Sequence, residues 1–524
     1  MDFSSGVRLS QLNDFLLPEQ DCIKPVTFKS KSQSKNSNSI NVSQQGEYYE
    51  VSKEGEVSKL DEAQVNLADC LACSGCVTTA EAVLINLQSY EQILEKISSK
   101  KPDEIIVFTI SPQTIASFSV KYNLSVSETK MYLSHYLKTC GVDYVFDLNF
   151  SRSVMQIEAA QEFINHKISG STTPLISSWC PGVVCYAEKS QHNLVDCFSK
   201  VKSPMQIMGS FIKTRSSDSF MLFPAKNIYH VAVMPCFDKK LEASRPEFSS
   251  PGDPNSRLVD IVISTSELLS LFSKLNIDFS CSIPDSYPLA SSQKNYPHSE
   301  LDLFPHKSSH AGSAGGTLEF VLQAAAKSLY SLDIPISDLI SPGNPNVEIK
   351  YTSRNKSKDY KEIIISDPNS SQKLVGVAVY GFRHLQTFIR KLKSKSCKHY
   401  DYVEVAACPG ACANGGGQLK DITSVPSSDS KFKSQITNFT SLVESTYTDS
   451  DLSSLPSGDF QAISRQNLDL SLVPSDTNSD HVHPKYGTQL DHLVLNRESS
   501  EFKTFMYTKF HIVESDKDKL ITSW

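Results

Sequence analysis

Three cysteines near the N-terminus have a spacing that can bind metal. Cys70, Cys73 and Cys76 form a C-x2-C-x2-C motif within DCLACSGCVT. Thiolates at this spacing can converge from one tight loop onto a [4Fe–4S] cluster. Tetrahedral zinc is the chemical alternative, although its usual unit is one pair of thiolates matched by a second pair elsewhere. The motif therefore favours an iron–sulfur site that still needs a fourth ligand.

The fourth ligand does not follow at the position that bacterial ferredoxins use. Ala80 occupies that position, and the next cysteine after Cys76 is Cys140. The other candidate is Cys22, upstream in DCIKP. The Ser-rich segment between Cys22 and Cys70 is predicted to be mobile, so the two could meet.

Four more cysteines follow apolar runs that read as strands. Cys180 follows PLISS, Cys236 follows HVAVMP, and Cys408 follows VEVAA, with Cys412 four residues later. Ligands gather at the carboxyl ends of parallel strands, so these thiols are expected to meet at a second [4Fe–4S] site. The glycine-rich run 415–417 is expected to let backbone approach such a cluster closely.

The other cysteines have no partner motif, and we expect them to be buried structural residues. They are Cys140, Cys197, Cys281 and Cys397. Cys185 lies five residues past Cys180, so it could have a role near that site, although we favour packing.

The hydrophobic pattern alternates between strands and helices, which predicts an α/β fold of parallel sheets covered by helices. The predicted strands are Glu104–Ile110, Asp143–Leu148, Leu175–Ile176, Ile228–Met234, Leu258–Ile263, Leu374–Tyr380 and Tyr402–Ala406. The predicted helices are Ser125–Thr139, Ser153–Asn165, Glu267–Lys274, Leu318–Tyr330 and Phe382–Lys393, the second capped by Ser151 or Ser153.

The composition limits the classes of function. The chain has 524 residues and a net charge of −7, which argues against general affinity for nucleic acid or anionic membranes. We see no membrane-spanning run and no signal peptide, so we expect a cytoplasmic protein, with the nucleus as an alternative. Thirteen cysteines, an odd number, argue against a disulfide framework there.

The same patterns predict the domain organisation. Residues 1–98 are predicted to form an N-terminal [4Fe–4S] region with a mobile loop at 26–60. Residues 99–420 are predicted to form an α/β core in two lobes, about 99–225 and 226–420. Residues 421–497, rich in Ser, Thr, Asp and Asn, are predicted to be a polar linker or insertion, and 498–524 a segment packed on the core with an exposed tail.

The chain resembles iron-only hydrogenases at three loops. They are SSWCPG (Ser177–Gly182), MPCFDKKLEASR (Met234–Arg245) and VEVAACPGACANGGGQ (Val403–Gln418). Together with LNDFLLPEQDCIKPV and CLACSGCVTTAE, they more closely resemble the eukaryotic iron-only hydrogenase-like family. The resemblance implies a hydrogenase-like core, with Cys22, Cys70, Cys73 and Cys76 holding one [4Fe–4S] cluster. It implies a second cluster on Cys180, Cys236, Cys408 and Cys412.

The resemblance also implies a function. That family acts late in cytosolic iron–sulfur protein assembly, bridging the scaffold that builds clusters and the complex that targets them to client proteins. A related branch suggests an alternative, an iron–sulfur module that binds prelamin at the nuclear lamina.

Departures from the hydrogenase loops argue against a third possibility, an active hydrogenase. The residue before the first core cysteine is Trp179, where hydrogenases carry a proton-relaying cysteine, and an indole releases no proton near neutral pH. Ala406, Ala411 and Leu419 replace Met, Gly and Pro. We therefore expect a protein that keeps the cluster ligands and is not an enzyme.

The chain end offers a partner-binding candidate. Trp524 follows Thr522 and Ser523, which resembles in part the short C-terminal signal by which proteins of this pathway dock on the targeting complex. An indole can fill an apolar pocket while the free carboxylate pairs with a cation. The alternative is that Trp524 packs on its own domain.

Overall fold

The computed structural model describes most of the central part of the chain. The described residues are 88–213, 227–250, 253–277, 312–341, 343–351, 359–394, 400–419, 439–447 and 500–511, with three strands between 39 and 59. The predicted ligands Cys22, Cys70, Cys73 and Cys76 lie outside them, as do Cys281, Cys397 and Trp524.

The strands are labelled in chain order. They are β1 (Ser39–Val42), β2 (Tyr48–Val51), β3 (Val57–Lys59), β4 (Glu104–Ile110), β5 (Tyr144–Asp147), β6 (Leu175–Ser177), β7 (Asn227–Met234), β8 (Ser249–Ser250), β9 (Asp253–Arg257), β10 (Ile261–Ser264), β11 (Val347–Tyr351), β12 (Tyr360–Ser366), β13 (Lys373–Tyr380) and β14 (Tyr402–Ala406).

The helices are labelled in the same way. They are α1 (Tyr90–Ser98), α2 (Pro112–Tyr122), α3 (Val126–Thr139), α4 (Asn149–Ile168), α5 (Pro181–Ser190), α6 (Pro204–Lys213), α7 (Asp238–Ala243), α8 (Thr265–Lys274), α9 (Thr317–Tyr330), α10 (Ile336–Ile340), α11 (Phe382–Lys393), α12 (439–447) and α13 (Ser500–Met506).

Two large sheets form the framework of the fold. The first has the strand order β10-β7-β4-β5 and is parallel throughout. The second has the order β11-β12-β13-β14-β6, with β13, β14 and β6 parallel and β11 and β12 antiparallel at one edge. Strands of a parallel sheet are covered on both faces, which explains the four consecutive apolar residues of β4, Ile105 to Phe108.

One apolar core joins the two sheets. It contains side chains of α4, α6 and α9 together with Met234 from β7 and Tyr402 from β14. α4 packs directly on α9 within it. The outer face of the first sheet is covered by α1, α2, α3 and α8, and that of the second by α5 and α11. Each large side chain buried in this way contributes about 2 kcal/mol.

The predicted α/β class is confirmed, and most predicted elements match within a few residues, but several details differ. The two sheets do not follow the predicted lobes of 99–225 and 226–420, because the first sheet combines β4 and β5 with β7 and β10. β6, from the first predicted lobe, joins the second sheet. The helix predicted from Ser153 begins at Asn149, because Asp147 Oδ1 accepts the Asn149 N–H (3.0 Å), and neither Ser151 nor Ser153 caps it.

Two predicted loops contain regular structure. Three short antiparallel strands, β1 to β3, lie within 26–60. α12 lies within the predicted linker 421–497, and its Phe439, Val443 and Tyr447 are buried in the core on the outer side of the first sheet. The linker prediction therefore does not hold at α12.

Among the described residues, no helix is long and apolar enough to cross a bilayer.

Candidate metal centre

Four cysteines from both sheets line one cavity. Cys180 follows β6, Cys236 follows β7, Cys408 follows β14, and Cys412 lies in the short 3-10 helix Ala411–Asn414. All four line the same cavity, whose volume is about 50 Å³. The structure thus brings together the four residues that were predicted as ligands of the second site. β6 and β14 are neighbours in one sheet, and β7 supplies Cys236 from the other.

Cys180 stands at the start of a helix. It is the N-cap residue of α5, and Pro181 occupies the first helical position, where a missing N–H costs nothing. Burial raises the pKa of the Cys180 thiol, and the negative charge of Asp238 adds to this rise. The backbone N–H groups of Ala407, Val183 and Gly182 act in the opposite direction, because they donate to the thiolate form. The site is therefore costly for a bare thiolate but already carries donors for a sulfur with negative charge.

The other thiols influence one another. Burial raises the pKa of Cys236 well above its usual value, with further contributions from Asp238, Cys180 and Cys408. Burial likewise raises the pKa of Cys412, and Cys236 and Cys180 add to the effect. Ionised sulfurs at these positions repel each other, so the group needs a cation among them if all four are to be thiolates.

The spacing of the thiols bears on the choice between one ion and a cluster. Among the residues that the structure describes, no three Cys, His, Asp or Glu side chains converge closely enough for a single metal ion. Tetrahedral zinc would need its sulfurs about 3.8 Å apart, from a Zn–S bond of about 2.3 Å. A set of four cysteines is the donor set of [4Fe–4S] clusters, and structural zinc sites use it as well.

The glycines of the third loop contact protein backbone. A Cβ added to Gly415 would lie 2.3 Å from the carbonyl oxygen of Pro235, and one on Gly417 would lie 2.6 Å from Ser264 Cβ. Gly417 N–H also donates to Pro235 O (3.0 Å). The glycine run was expected to allow close approach to a cluster. Gly415 does line the cavity. A side chain at Gly415 would strike Pro235, in the loop that carries Cys236, and one at Gly417 would strike Ser264 at the end of β10.

Charged side chains surround the cavity. Lys239 and Asp238 both line it, and burial raises the pKa of Asp238 to about 6. Lys239 Nζ forms a buried ion pair with Glu242 Oε2 (2.6 Å). Its positive charge favours the thiolate forms of Cys236 and Cys412.

Comparisons with known proteins agree with this arrangement. The family model "Iron only hydrogenase large subunit, C-terminal domain" matches residues 104–416, which include all four cavity cysteines. The cytosolic iron-sulfur assembly component 3 of Bos taurus is 38% identical over 433 residues, covering 80% of this chain and 85% of its own. The Xenopus tropicalis cytosolic Fe-S cluster assembly factor narfl is 37% identical over 428 residues, with the same coverage. The chain belongs to the eukaryotic iron-only hydrogenase-like family.

Solved structures support the fold of this family member. A variant of the [FeFe]-hydrogenase HydA1 from Chlamydomonas reinhardtii superposes with a TM-score of 0.57, covering 81% of this chain and 99% of its own. The two sequences are 19% identical, so this similarity shows the fold alone.

Trp179 immediately precedes Cys180 in the chain. It lines the cavity, and its six-membered ring packs on Gly315, where an added Cβ would lie 2.4 Å from Cη2. Gly315 has a φ of +123°, a conformation that favours glycine, so this turn makes room for the indole. The indole N–H is buried and has no hydrogen-bond partner among the described residues.

The sequence analysis did not predict the part of the cavity wall that Arg152 forms with support from α12. Arg152 on α4 lines the cavity and donates from Nη1 to the phenol of Tyr447 on α12. Glu444, also on α12, accepts the Ser313 N–H (3.1 Å). The signal for α12 was present as apolar residues four positions apart, Phe439, Val443 and Tyr447, within an otherwise polar segment.

The remaining described cysteines lie elsewhere. Cys140, Cys185 and Cys197 do not line the cavity, and each is partly exposed. Burial raises the pKa of Cys140 and of Cys197. The three thiols are thus less buried than the sequence predicted, and a structural role for them stays a prediction.

Proposed function

We propose that this chain binds two [4Fe–4S] clusters and works in the cytosolic iron–sulfur protein assembly machinery. The observation that carries the proposal is the convergence of Cys180, Cys236, Cys408 and Cys412 on one cavity. The names of relatives that cover most of the chain support the pathway, since they are called cytosolic iron–sulfur assembly components.

The core cluster would be held by those four cysteines, with backbone N–H groups at the start of α5 donating to sulfur. Such donors stabilise the thiolate and tune the cluster potential. The N-terminal cluster would be held by Cys22, Cys70, Cys73 and Cys76. This second set rests on motif spacing and on the family resemblance, and it lies outside the described residues.

The role that fits best is that of an adaptor, which carries or transfers clusters between the scaffold and the targeting complex in the cytoplasm. Trp524 would contribute to docking on the targeting complex. A hydrogenase reaction is not proposed, because Trp179 stands in place of a residue that must exchange protons and an indole N–H does not ionise near neutral pH.

The test is to measure iron and acid-labile sulfide per chain anaerobically, together with EPR spectra of the reduced protein. The wild type should contain about eight iron atoms, the sum for two [4Fe–4S] clusters. Cys236→Ala and Cys70→Ala should each remove a different EPR signal. Cys197→Ala is the matched control, because Cys197 does not line the cavity, and it should keep both signals. A wild-type protein with no EPR signal of a [4Fe–4S] cluster would contradict the proposal.

A further inference from the structure

Arg152 is a cation held deep in the protein at the wall of the cavity that the four thiols also line. It lies in the first turn of α4, is 2% exposed, and lines the cavity shared by the cysteines. A buried charge is costly unless an opposite charge or hydrogen-bond acceptors balance it. It therefore matters which negative charges lie close enough to balance the positive charge of Arg152.

Tyr447 holds the guanidinium in place. Its phenol oxygen accepts a hydrogen bond from Arg152 Nη1, and its ring centre lies 5.5 Å from the guanidinium carbon. Burial raises the pKa of Tyr447 well above neutral pH, so this acceptor carries no charge. Asp147 is an acidic neighbour of Arg152, and it is also paired with Lys130 (2.9 Å). Burial lowers the pKa of Arg152, and the contacts with Tyr447 and Asp147 act against this fall. A guanidinium stays protonated in proteins near neutral pH, so Arg152 is a charged group at the cavity wall.

The proposed core cluster would bring negative charge to this cavity. A [4Fe–4S] core with four thiolates carries a net charge of about −2, and reduction adds one more negative charge. The second cation at the wall, Lys239, is already balanced by Glu242, and Asp238 adds negative charge when ionised. A buried anionic unit of this kind needs a further cation nearby.

We propose that Arg152, positioned by Tyr447, is the counter-charge of the core cluster and raises its reduction potential. The inference rests on the proposed core cluster. The physical reason is that a nearby cation stabilises the reduced, more negative state more than the oxidised state.

The test is an EPR-monitored redox titration of the full chain carrying both clusters. Arg152→Gln should lower the midpoint potential of the core signal, whereas Arg152→Lys should keep it near the wild-type value. Tyr447→Phe, which removes only the phenol acceptor, should lower it by a smaller amount. Lys213→Met is the matched control. Lys213 is a buried cation paired with Asp260 (2.5 Å) that does not line the cavity, so its loss should leave the potential unchanged.

The potentials and cluster contents of the Arg152 variants distinguish a role of its charge from a role of its shape. An unchanged potential in Arg152→Gln, or an equal fall in Arg152→Lys, would overturn the inference. If Arg152→Gln loses the core cluster, retention in Arg152→Lys supports a charge role, whereas loss in both shows that only shape matters. A wild type without a core signal would instead defeat the proposed cluster itself.

Discussion

Arg245 and Glu188 form a two-pronged ion pair, with Nη1–Oε2 at 2.9 Å and Nη2–Oε1 at 2.6 Å. Glu188 lies near the end of α5, the helix that begins at Cys180, and Arg245 follows α7, the helix after Cys236. The pair therefore ties together the two helices that position these cysteines. Glu188 Oε1 also accepts the His511 N–H (2.9 Å), so the C-terminal segment is joined to the same point.

We predict that Glu188→Ala lowers the free energy of unfolding by about 3 kcal/mol, because it leaves a partly buried guanidinium without its bidentate partner. It should also speed loss of the core EPR signal to an iron chelator, since α5 and α7 are no longer held together. Urea unfolding followed by circular dichroism, together with the chelator time course, measures both effects.

Glu247→Ala is the matched control. Glu247 also pairs with Arg245, but it lies two residues along the chain and joins no second helix. Its loss should cost less stability and leave cluster loss unchanged. Equal effects of the two substitutions would show that the link between α5 and α7 is unimportant.

The second prediction concerns Trp179. Purified protein that contains both clusters should neither evolve nor oxidise hydrogen, and Trp179→Cys alone should not restore activity. The reason is that a thiol restores only one group, while Ala406 remains and no diiron subsite is supplied. Gas chromatography with a low-potential electron donor measures hydrogen evolution. An active [FeFe]-hydrogenase serves as the positive control, and hydrogen above background from the wild type would refute the prediction.

The third prediction is that the two clusters differ in lability. The core thiols come from strand ends inside the protein, whereas Cys22 must reach Cys70 across a long polar segment. A chelator should therefore remove the N-terminal EPR signal first. Cys70→Ala, which leaves only the slow phase, assigns the phases, and equal loss rates for both signals in the wild type would contradict the idea.

The sequence predicted the sheet core well because the strands are continuous apolar runs with few alternatives. β4, β14 and α11 have the predicted ends. The prediction of strands failed in long segments that were interpreted from their average amino-acid composition. β11 alternates polar and apolar residues, as a partly exposed edge strand requires. β12 places Lys361 and Glu362 beside its Ile363–Ile365 run, and both strands lie in a stretch of polar composition.

The cavity shows the same limit. Cysteines that follow strand-like runs can be recognised by residue type and spacing, so the amino-acid sequence alone was enough to group Cys180, Cys236, Cys408 and Cys412. It was not enough for Arg152, because the role of this residue depends on Tyr447, which lies 295 positions away in the chain. Contacts of that separation leave no local pattern.

The fourth prediction concerns pH. His230 is fully buried between Thr109 Oγ1 (2.9 Å) and the Leu258 carbonyl (2.8 Å), and burial lowers its pKa from 6.5 to about 3. Between these values the unfolded chain binds a proton that the folded chain does not, so stability falls as pH falls. By pH 5 this should cost the wild type about 2 kcal/mol.

His230→Leu removes that titration. Although the variant is less stable at pH 7, the difference in unfolding free energy between wild type and variant should shrink by about 2 kcal/mol at pH 5. Other titrating groups cancel in the subtraction. Urea unfolding at both pH values gives the difference, and a constant difference would mean that His230 takes up a proton in the folded protein.

The last prediction concerns Trp524, which lies outside the described residues. The described part of the C-terminal segment is anchored: Tyr507 N–H bonds Lys503 O, and Thr508 N–H bonds Lys200 O (2.8 Å). His511, the last residue described there, is held by Glu188, so Trp524 lies only 13 positions beyond a point fixed beside the helices of Cys180 and Cys236.

If the indole fills an apolar pocket on the targeting complex, deletion of Trp524 should weaken binding at least tenfold, which corresponds to a loss of about 1.4 kcal/mol or more of binding free energy. Both cluster spectra should stay intact, because the described contacts that hold the C-terminal segment are made by Tyr507, Thr508 and His511. Trp524→Phe, which keeps an aromatic end and the free carboxylate, should retain part of the affinity. Isothermal titration against purified targeting complex measures this. Either equal binding of the truncated chain or loss of its clusters would refute the docking role.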